Sequence, residues 1–407
     1  MIVPIAVVVA LVAGLGLAVP APAQEVLELT EDDAVQRLDP AVVTARQAAA
    51  GQAAAEGDLA AARVFANPRI EVGREDNLGV TERFALVSQV LPLTGRRWTE
   101  VGDAERRLTA ARLRAETLDR RLQADVRLAF AALLAAQGRV DVLEAATKRL
   151  REVAAAVAER EKAGDAAGFD RLRAEREVAE VEAALVDAIE ARVRAQAELA
   201  QFLGADVNPA SVRAVATATP PAPLPAADVL VERALAERRD LRALEQEREA
   251  MRFARRAASR LHVLEPEVTA GVRDSEVGGS GGVLAVAISV PLFSRSAGAQ
   301  ARLAVAERET DAALVTQRAR IRSSVLALAA IVTDRRAAVD RFRDAAVARA
   351  QDLESVAEVS YENRVRSILE LLDAYRAGAG ARVRLLELEL AAKRAEIELE
   401  ELTGEAL

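Results

Sequence analysis

Apolar and polar positions along the chain change period in the same order in each half. From Thr30 to Phe65 the composition is helical, with Thr30 placed to cap the acidic run Glu31-Asp32-Asp33. Asn67-Pro68 stops that helix, because the residue before a proline is pushed out of the helical region. Two short strands then fall within 69–91, joined by the polar, Gly-containing stretch Asp76-Asn77-Leu78-Gly79, a hairpin signal. Near Gly95 the period lengthens from two to between three and four. The seam Leu122, Val126, Ala129, Leu133, Ala136, Val140, Leu143, Thr147, Leu150, Ala154, Val157 has the spacing of a coiled coil. It predicts one helix from about 96 to 163, a rod of about 100 Å at ~1.5 Å per residue. Gly164-Asp165-Ala166-Ala167-Gly168 interrupts it, and a second helix over 169–203 folds back along the first.

The second half retraces the plan after a linker at 209–227 that holds five of the thirteen prolines. Residues 228–264 read as a helix, and two strands within 267–290 are joined by Gly278-Gly279-Ser280-Gly281. A long helix follows over 298–361. Its seam is a strict heptad through Ile321, Val325, Leu328, Val332, Arg335, Val339, Phe342, Ala346, Arg349, Leu353 and Val356, broken only by the two arginines fourteen residues apart. A break at Glu362-Asn363-Arg364 precedes a last helix to Gly404, and the two halves end alike at Phe202-Leu203-Gly204 and Leu402-Thr403-Gly404. An internal repeat fixes architecture before anything else does. The domains are therefore a leader at 1–23, a first repeat at 24–208 with its helical hairpin at 96–204, the linker, and a second repeat at 228–407 with its helical hairpin at 298–404.

Composition narrows the choice. Hydrophobic residues are 51% of the 407, yet aromatics are 3%, which suits long packed helices rather than a large globular core. The net charge of -8 is mild and gives no basic footprint for nucleic acid. With no cysteine there is no disulfide, thiolate metal site or cysteine lipidation. His262 is the sole histidine, which removes histidine metal clusters and Ser-His-Asp triads and reads as a helix-end or surface residue. Carboxylate pairs such as Glu387/Glu389 and Glu396/Glu400 read as solvated helix faces or i,i+4 partners. No catalytic residue, cofactor or metal site is expected, and the chain does not read as an enzyme. The apolar segment before Ala21-Pro22-Ala23 reads as a secretory signal, although no Lys or Arg precedes Arg37.

Four strands of membrane-crossing length cannot close a barrel alone, and an open sheet edge is not tolerated in lipid, so closure requires several chains. Arg69, Glu71 and Gly73 fall on one face and Ile70 and Val72 on the other, whereas Phe84 and Leu86 share a face with Ser88 and leave the lipid side of the second strand open. Pro92 and Pro291 end the strands, and Trp98 and Phe293 lie where aromatics mark a membrane interface. The alternative is a small soluble sheet capping a helical bundle.

The duplication, the strand–Pro–Leu segments ending at Pro92 and Pro291, and the helix breaks near Gly164 and Asn363 together resemble the TolC family of outer-membrane efflux proteins over nearly the whole chain. The resemblance implies a mainly α fold with a small β part. It implies a homotrimer whose twelve strands form one outer-membrane barrel continuous with a periplasmic α-barrel. It also implies a passive exit duct in contact with outer-membrane lipid, served by a periplasmic adaptor and an inner-membrane transporter of RND type. Length and the small middle region are similar to the CzcC-like branch that partners heavy-metal or cation exporters. The helix turns would then form the periplasmic tip, for gating and adaptor docking: Gly164, Asp165, Gly168 and Asp170 in the first, Asn363, Arg364, Arg366, Ser367 and Asp373 in the second. Asp165, Asp170 and Asp373 would ring the aperture, since like charges tune ion passage, or are solvated turn residues. Arg364 stands where family members usually have glycine. Two alternatives stay open: the exit duct of a type I protein-secretion system, and a soluble periplasmic coiled-coil adaptor or scaffold, which would not need two membrane-length hairpins.

Overall fold

The computed structural model describes residues 26–77, 79–163, 168–217, 222–260, 263, 265–290, 296–363 and 365–404. The leader, Gly164, Asp165, His262, Pro291, Phe293 and Arg364 lie outside the described residues.

The first repeat begins with β1 (Leu27–Leu29) and α1 (Glu31–Gln36). Thr30 and Asp33 form a reciprocal capping box: the Asp33 amide donates to Thr30 Oγ1 at 3.2 Å and the Thr30 amide to Asp33 Oδ2 at 3.0 Å. The single helix expected from Thr30 to Phe65 is in fact two. Pro40 has no amide to donate and disfavours helix at Asp39, so α1 ends and α2 (Val43–Arg63) starts afresh. Then come β2 (Arg69–Asn77), β3 (Val80–Val90), α3 (Arg96–Lys162) and α4 (Gly168–Leu203). Gly95, with φ +69, makes the strand-to-helix corner, and a side chain there would also meet the Arg260 guanidinium.

A short 3-10 turn (Pro209–Ser211) leads into β4 (Val212–Ala214). The sequence pattern gave no sign that β4 pairs in parallel with β1. The Gln137 amide brackets its free edge, donating to the Ala214 carbonyl at 3.1 Å and accepting from the Ala214 amide at 2.9 Å.

The second repeat opens with α5 (Ala227–Glu237) and α6 (Arg239–Ser259), again two helices where one was expected. The break is at Arg238, which is extended. Asp240 holds it there, accepting from Arg238 Nε at 2.8 Å and from the Leu241 amide at 2.8 Å, bonds that compete with a continuous helix. β5 (Pro266–Ser275), β6 (Gly279–Ile288) and α7 (Ala297–Phe342) follow. A π-helical turn (Arg343–Val347) joins α7 to α8 (Ala348–Glu362), and α9 (Ile368–Thr403) closes the chain.

That turn corrects the strict heptad. Above it the seam buries Ile321, Val325, Val332 and Val339 as expected. Below it the buried positions are Ala350, Glu354 and Ala357, each one residue later than Arg349, Leu353 and Val356. A π-turn takes up one extra residue, which turns the downstream helix by about 100°. α3 has no such turn, and its seam stays buried through Val157.

The two repeats build matching cores of long aliphatics. Leu29, Val126, Leu133, Leu199 and Val212 are fully buried in the first, and Leu230, Ile321, Val325, Val332 and Leu399 in the second. A third core near the free ends of the hairpins joins them, through Leu150, Val157 and Ala174 on one side and Ala357, Leu371, Leu372 and Tyr375 on the other.

Candidate functional site: a segment of channel wall and its tip

The four long strands form one antiparallel sheet in the order β2-β3-β5-β6. Register assigns the faces, because opposite residues share a side. Ile70 pairs with Val87, Val87 with Ala270 and Ala270 with Leu284, so the middle of one face is apolar from edge to edge, continuing through Val72, Val272, Val286 and Ile288, while the hairpin end of that face carries Arg74, Arg83 and Asp274. These side chains are exposed in the chain. Arg69, Glu71, Ser88, Glu267 and Thr269 occupy the opposite face, where the Ser88 and Thr269 hydroxyls are 2.9 Å apart and Arg273 Nη1 lies 3.1 Å from Glu82 Oε2. The face left open for Phe84 and Leu86 is this polar one. Phe84 covers the place where Gly73 has no side chain and lies under the Arg273 guanidinium, 5.7 Å from its ring centroid. An apolar face backed by a polar one is the pattern of a strand wall between lipid and water.

At the strand ends the Leu91 amide donates to the Pro266 carbonyl at 2.9 Å, carrying the ladder one step further before Pro92 ends it. Trp98 follows in the first turn of α3 and is 78% exposed. Beside it Arg97 lies 3.6 Å over the Phe65 ring. α3 is flanked on both sides here: Ala104 and Leu108 pack on Leu59 of α2, and Phe253 of α6 fills the place opposite Gly102. Trp98 therefore points off the plane of the wall.

The helices continue that wall. Below the sheet they pack side by side as α2-α3-α6-α7, and nearer the tip as α4-α3-α9-α8. A partly buried ion cluster ties α1 to this layer. Arg127 donates to Glu31 at 2.5 Å and also to Glu400, and Lys393 Nζ lies 3.0 Å from Glu31. Burial alone would raise the Glu31 carboxyl, but the Arg127 and Lys393 hydrogen bonds outweigh it and hold it below its ordinary range.

At the tip α8 closes on itself. The Asn363 side chain donates to the Val359 carbonyl at 2.7 Å and the Val365 amide to the Ser360 carbonyl at 2.8 Å. Ser367 is the extended residue before α9, with no side-chain capping bond. Arg366, just before α9, pairs with Glu370 at 3.0 Å and Asp373 with Arg376 at 2.7 Å, both local contacts at the start of α9 rather than across helices. Gly168 opens α4 where a Cβ would stand 2.8 Å from Glu161 Oε1; Asp170 lies in the same first turn. Arg160 of α3 stacks 4.7 Å from the Tyr361 ring, linking the hairpins.

The group that sequence reasoning missed lies two turns above. Glu354 of α8 is 5% exposed, accepts from Arg382 of α9 at 2.9 and 2.8 Å, and from Arg149 of α3 at 3.1 Å. Its carboxylate occupies the space over Gly378, where any Cβ would collide with it. Next to it Tyr375 donates to Glu358 at 2.6 Å, and burial together with that bond pushes the phenol above its ordinary range. Gly378, a glycine inside a helical run, was the available signal.

Among the described residues no cluster of His, Cys, Asp and Glu is arranged to hold a metal, and no helix is long and apolar enough to cross a membrane. The second observation does not bear on a strand wall.

Fold and site thus form one continuous layer, a four-stranded sheet with exposed apolar side chains on one face and a row of packed helices below it. The family model for "Outer membrane efflux protein" matches residues 230–405. The chain is similar to the outer membrane protein VceC of Vibrio cholerae, at 17% identity and TM-score 0.76 over 92% of this chain and 96% of that one. It is similar to the MtrE outer membrane channel of Neisseria gonorrhoeae, at 18% identity and TM-score 0.74 over 93% and 88%. It is also similar to CusC, at 16% identity and TM-score 0.77 over 93% of each chain. No curated protein matches it in sequence. The sequence match to that family model is confined to residues 230–405, and the fold of the whole chain is that of these outer membrane proteins.

Proposed function

We propose that three copies of this chain close into one channel, the passive exit duct of a tripartite efflux system. The observation that supports it is an order of elements that runs alike at every height. The sheet runs β2 to β6, the upper helices α2 to α7 and the lower helices α4 to α8, always from a first-repeat edge to a second-repeat edge. Copies related by rotation then join unlike edges, a heterologous contact that forms a ring when the rotation closes. Three copies give twelve strands, with the apolar face toward outer-membrane lipid and Trp98 at the interface with Pro92, Pro291 and Phe293.

In this reading the helices reach into the periplasm. A periplasmic adaptor joins the tip to an inner-membrane transporter of RND type, which supplies the driving force; the CzcC-like branch makes metal cations the first cargo to test. Gly164, Asp165, Gly168, Asp170, Asn363, Arg364, Arg366, Ser367 and Asp373 surround the aperture. Native mass measurement and planar-bilayer recording of the full chain test the proposal. A trimer with steady ohmic conductance is expected, altered by Asp165→Ala or Arg364→Ala. A monomer recovered in the soluble periplasmic fraction, with no conductance, would discard the duct; wild-type conductance in both variants would discard the tip roles.

A further inference from the structure

The sequence writes one heptad, broken only by Arg335 and Arg349, down the second long helix, and the structure does not follow it below Phe342. Leu353 and Val356, which that heptad places in the intrachain seam, are 59% and 57% exposed, while Glu354 and Ala357 take their places. Together Leu353 and Val356 form an apolar patch on the side of α8 that no helix of its own chain covers. α4 carries the counterpart. Leu172, Ala179, Ala183, Val186 and Val193 are exposed at spacings of seven, four, three and seven residues, a second heptad line that its own chain leaves bare. These two lines lie on the two free edges of the lower layer.

We infer that the π-turn at Arg343–Val347 assigns the Leu353/Val356 stripe to a second copy of this chain, where it packs against the Leu172–Val193 stripe of α4. The inference rests on the ring proposed above and deepens it by naming the seam and the device that sets its phase. Without the π-turn, α8 would turn back by about 100°. Leu353 and Val356 would then fill the intrachain seam, and Asp352 and Ser355 would face the neighbour. An edge of polar residues would not mate with the apolar line on α4, so the turn exchanges a slightly more apolar interior for a matched exterior. It also requires something else to fill the interior position, and the Glu354–Arg382–Arg149 cluster does so. Heights agree. α8 runs toward the tip and α4 away from it; at about 1.5 Å per residue Leu353, nine residues from Glu362, stands level with the region of Ala179, eleven from Gly168.

The chain has no cysteine, so paired substitutions are read without background. Leu353→Cys combined with Ala179→Cys, or with Ala183→Cys one turn on, is oxidised in the assembled full-length protein and run on a non-reducing gel. Interchain disulfide is expected at least tenfold faster than for Asp352→Cys with the same α4 partners, and Ala357→Cys is expected to give none. Cross-linking through Asp352 as fast as through Leu353, in protein that is trimeric by mass, would overturn the assignment while leaving the channel standing. Protein monomeric by mass with no interchain product would remove the ring and the assignment together.

Discussion

Glu354 supplies a perturbation whose size follows from the geometry. Glu354→Ala takes away a carboxylate that receives three charge-assisted hydrogen bonds and leaves Arg382 and Arg149 facing a vacant, mostly buried site. Breaking a buried ion pair from one side costs about 3–5 kcal/mol. The Arg149 side chain is half exposed and Arg382 less so, and water recovers part of that loss, which lowers the figure to about 2–3 kcal/mol. At about 1.4 kcal/mol per factor of ten, the α8–α9 hairpin should open locally about 30- to 140-fold more often. Amide hydrogen exchange followed by peptide mass analysis reads this directly for peptides around 350–360 and 375–385. Gly378→Ala should act in the same direction, because its methyl group would displace the carboxylate. Glu354→Gln should fall between, since an amide still accepts one bond. Protection within about threefold of wild type in both Glu354→Ala and Gly378→Ala would show that the cluster does not hold the hairpin.

Three further outcomes are expected. Trp98 is the sole tryptophan. Its emission in proteoliposomes should be blue-shifted and quenched by lipids labelled near the headgroup, and a water-like, unquenched spectrum would remove it from the interface. The Glu31 carboxyl lies below its ordinary value of 4.5 in the fold, so its stabilisation of α1 is present above that value and is lost as pH falls through the lowered one; pepsin should cut within 37–42 progressively faster down that range, and Glu31→Gln should flatten the dependence. Gly73→Ala should push the Phe84 ring off its seat, at a cost of about 1–3 kcal/mol. The melting temperature should fall, and adding Phe84→Ala should leave the glycine substitution almost without further effect.

How much of this was legible in sequence depends on how local its cause was. Hairpins, turns and the α3 seam were readable because each follows from a period and a breaker within a few residues: Pro68 before β2, Gly95 before α3. The pairing of β1 with β4 was not, since three-residue strands nearly 200 residues apart carry no period and depend on Gln137 from a third element. The split of each short helical pair was half readable. Pro40 announces the first, whereas the second depends on Arg238 and Asp240 bonding each other instead of continuing the helix. The phase change at Arg343–Val347 could not be read at all. The heptad continues on paper with good apolar residues, and what displaces them is a buried carboxylate whose two arginines come from other helices. At the tip, Arg366 and Asp373 stand out in the sequence only by their position in the turn, and their bonds to Glu370 and Arg376 depend on side-chain directions that no spacing sets.

Duplication within one chain has a consequence for symmetry. A ring of three such chains carries six strand pairs and six helical hairpins, and from the sheet down to the level of Phe342 the two halves are near enough alike to approximate a sixfold axis. The π-turn occurs in one half alone. Below it α8 is turned about its own axis relative to its counterpart in the other half, so the ring proposed above would pass from near-sixfold to threefold order within a few turns of the tip. A binding surface spread around the upper ring would therefore present six equivalent places, whereas anything that grips the end of the tube would find two kinds of groove in alternation, three of each.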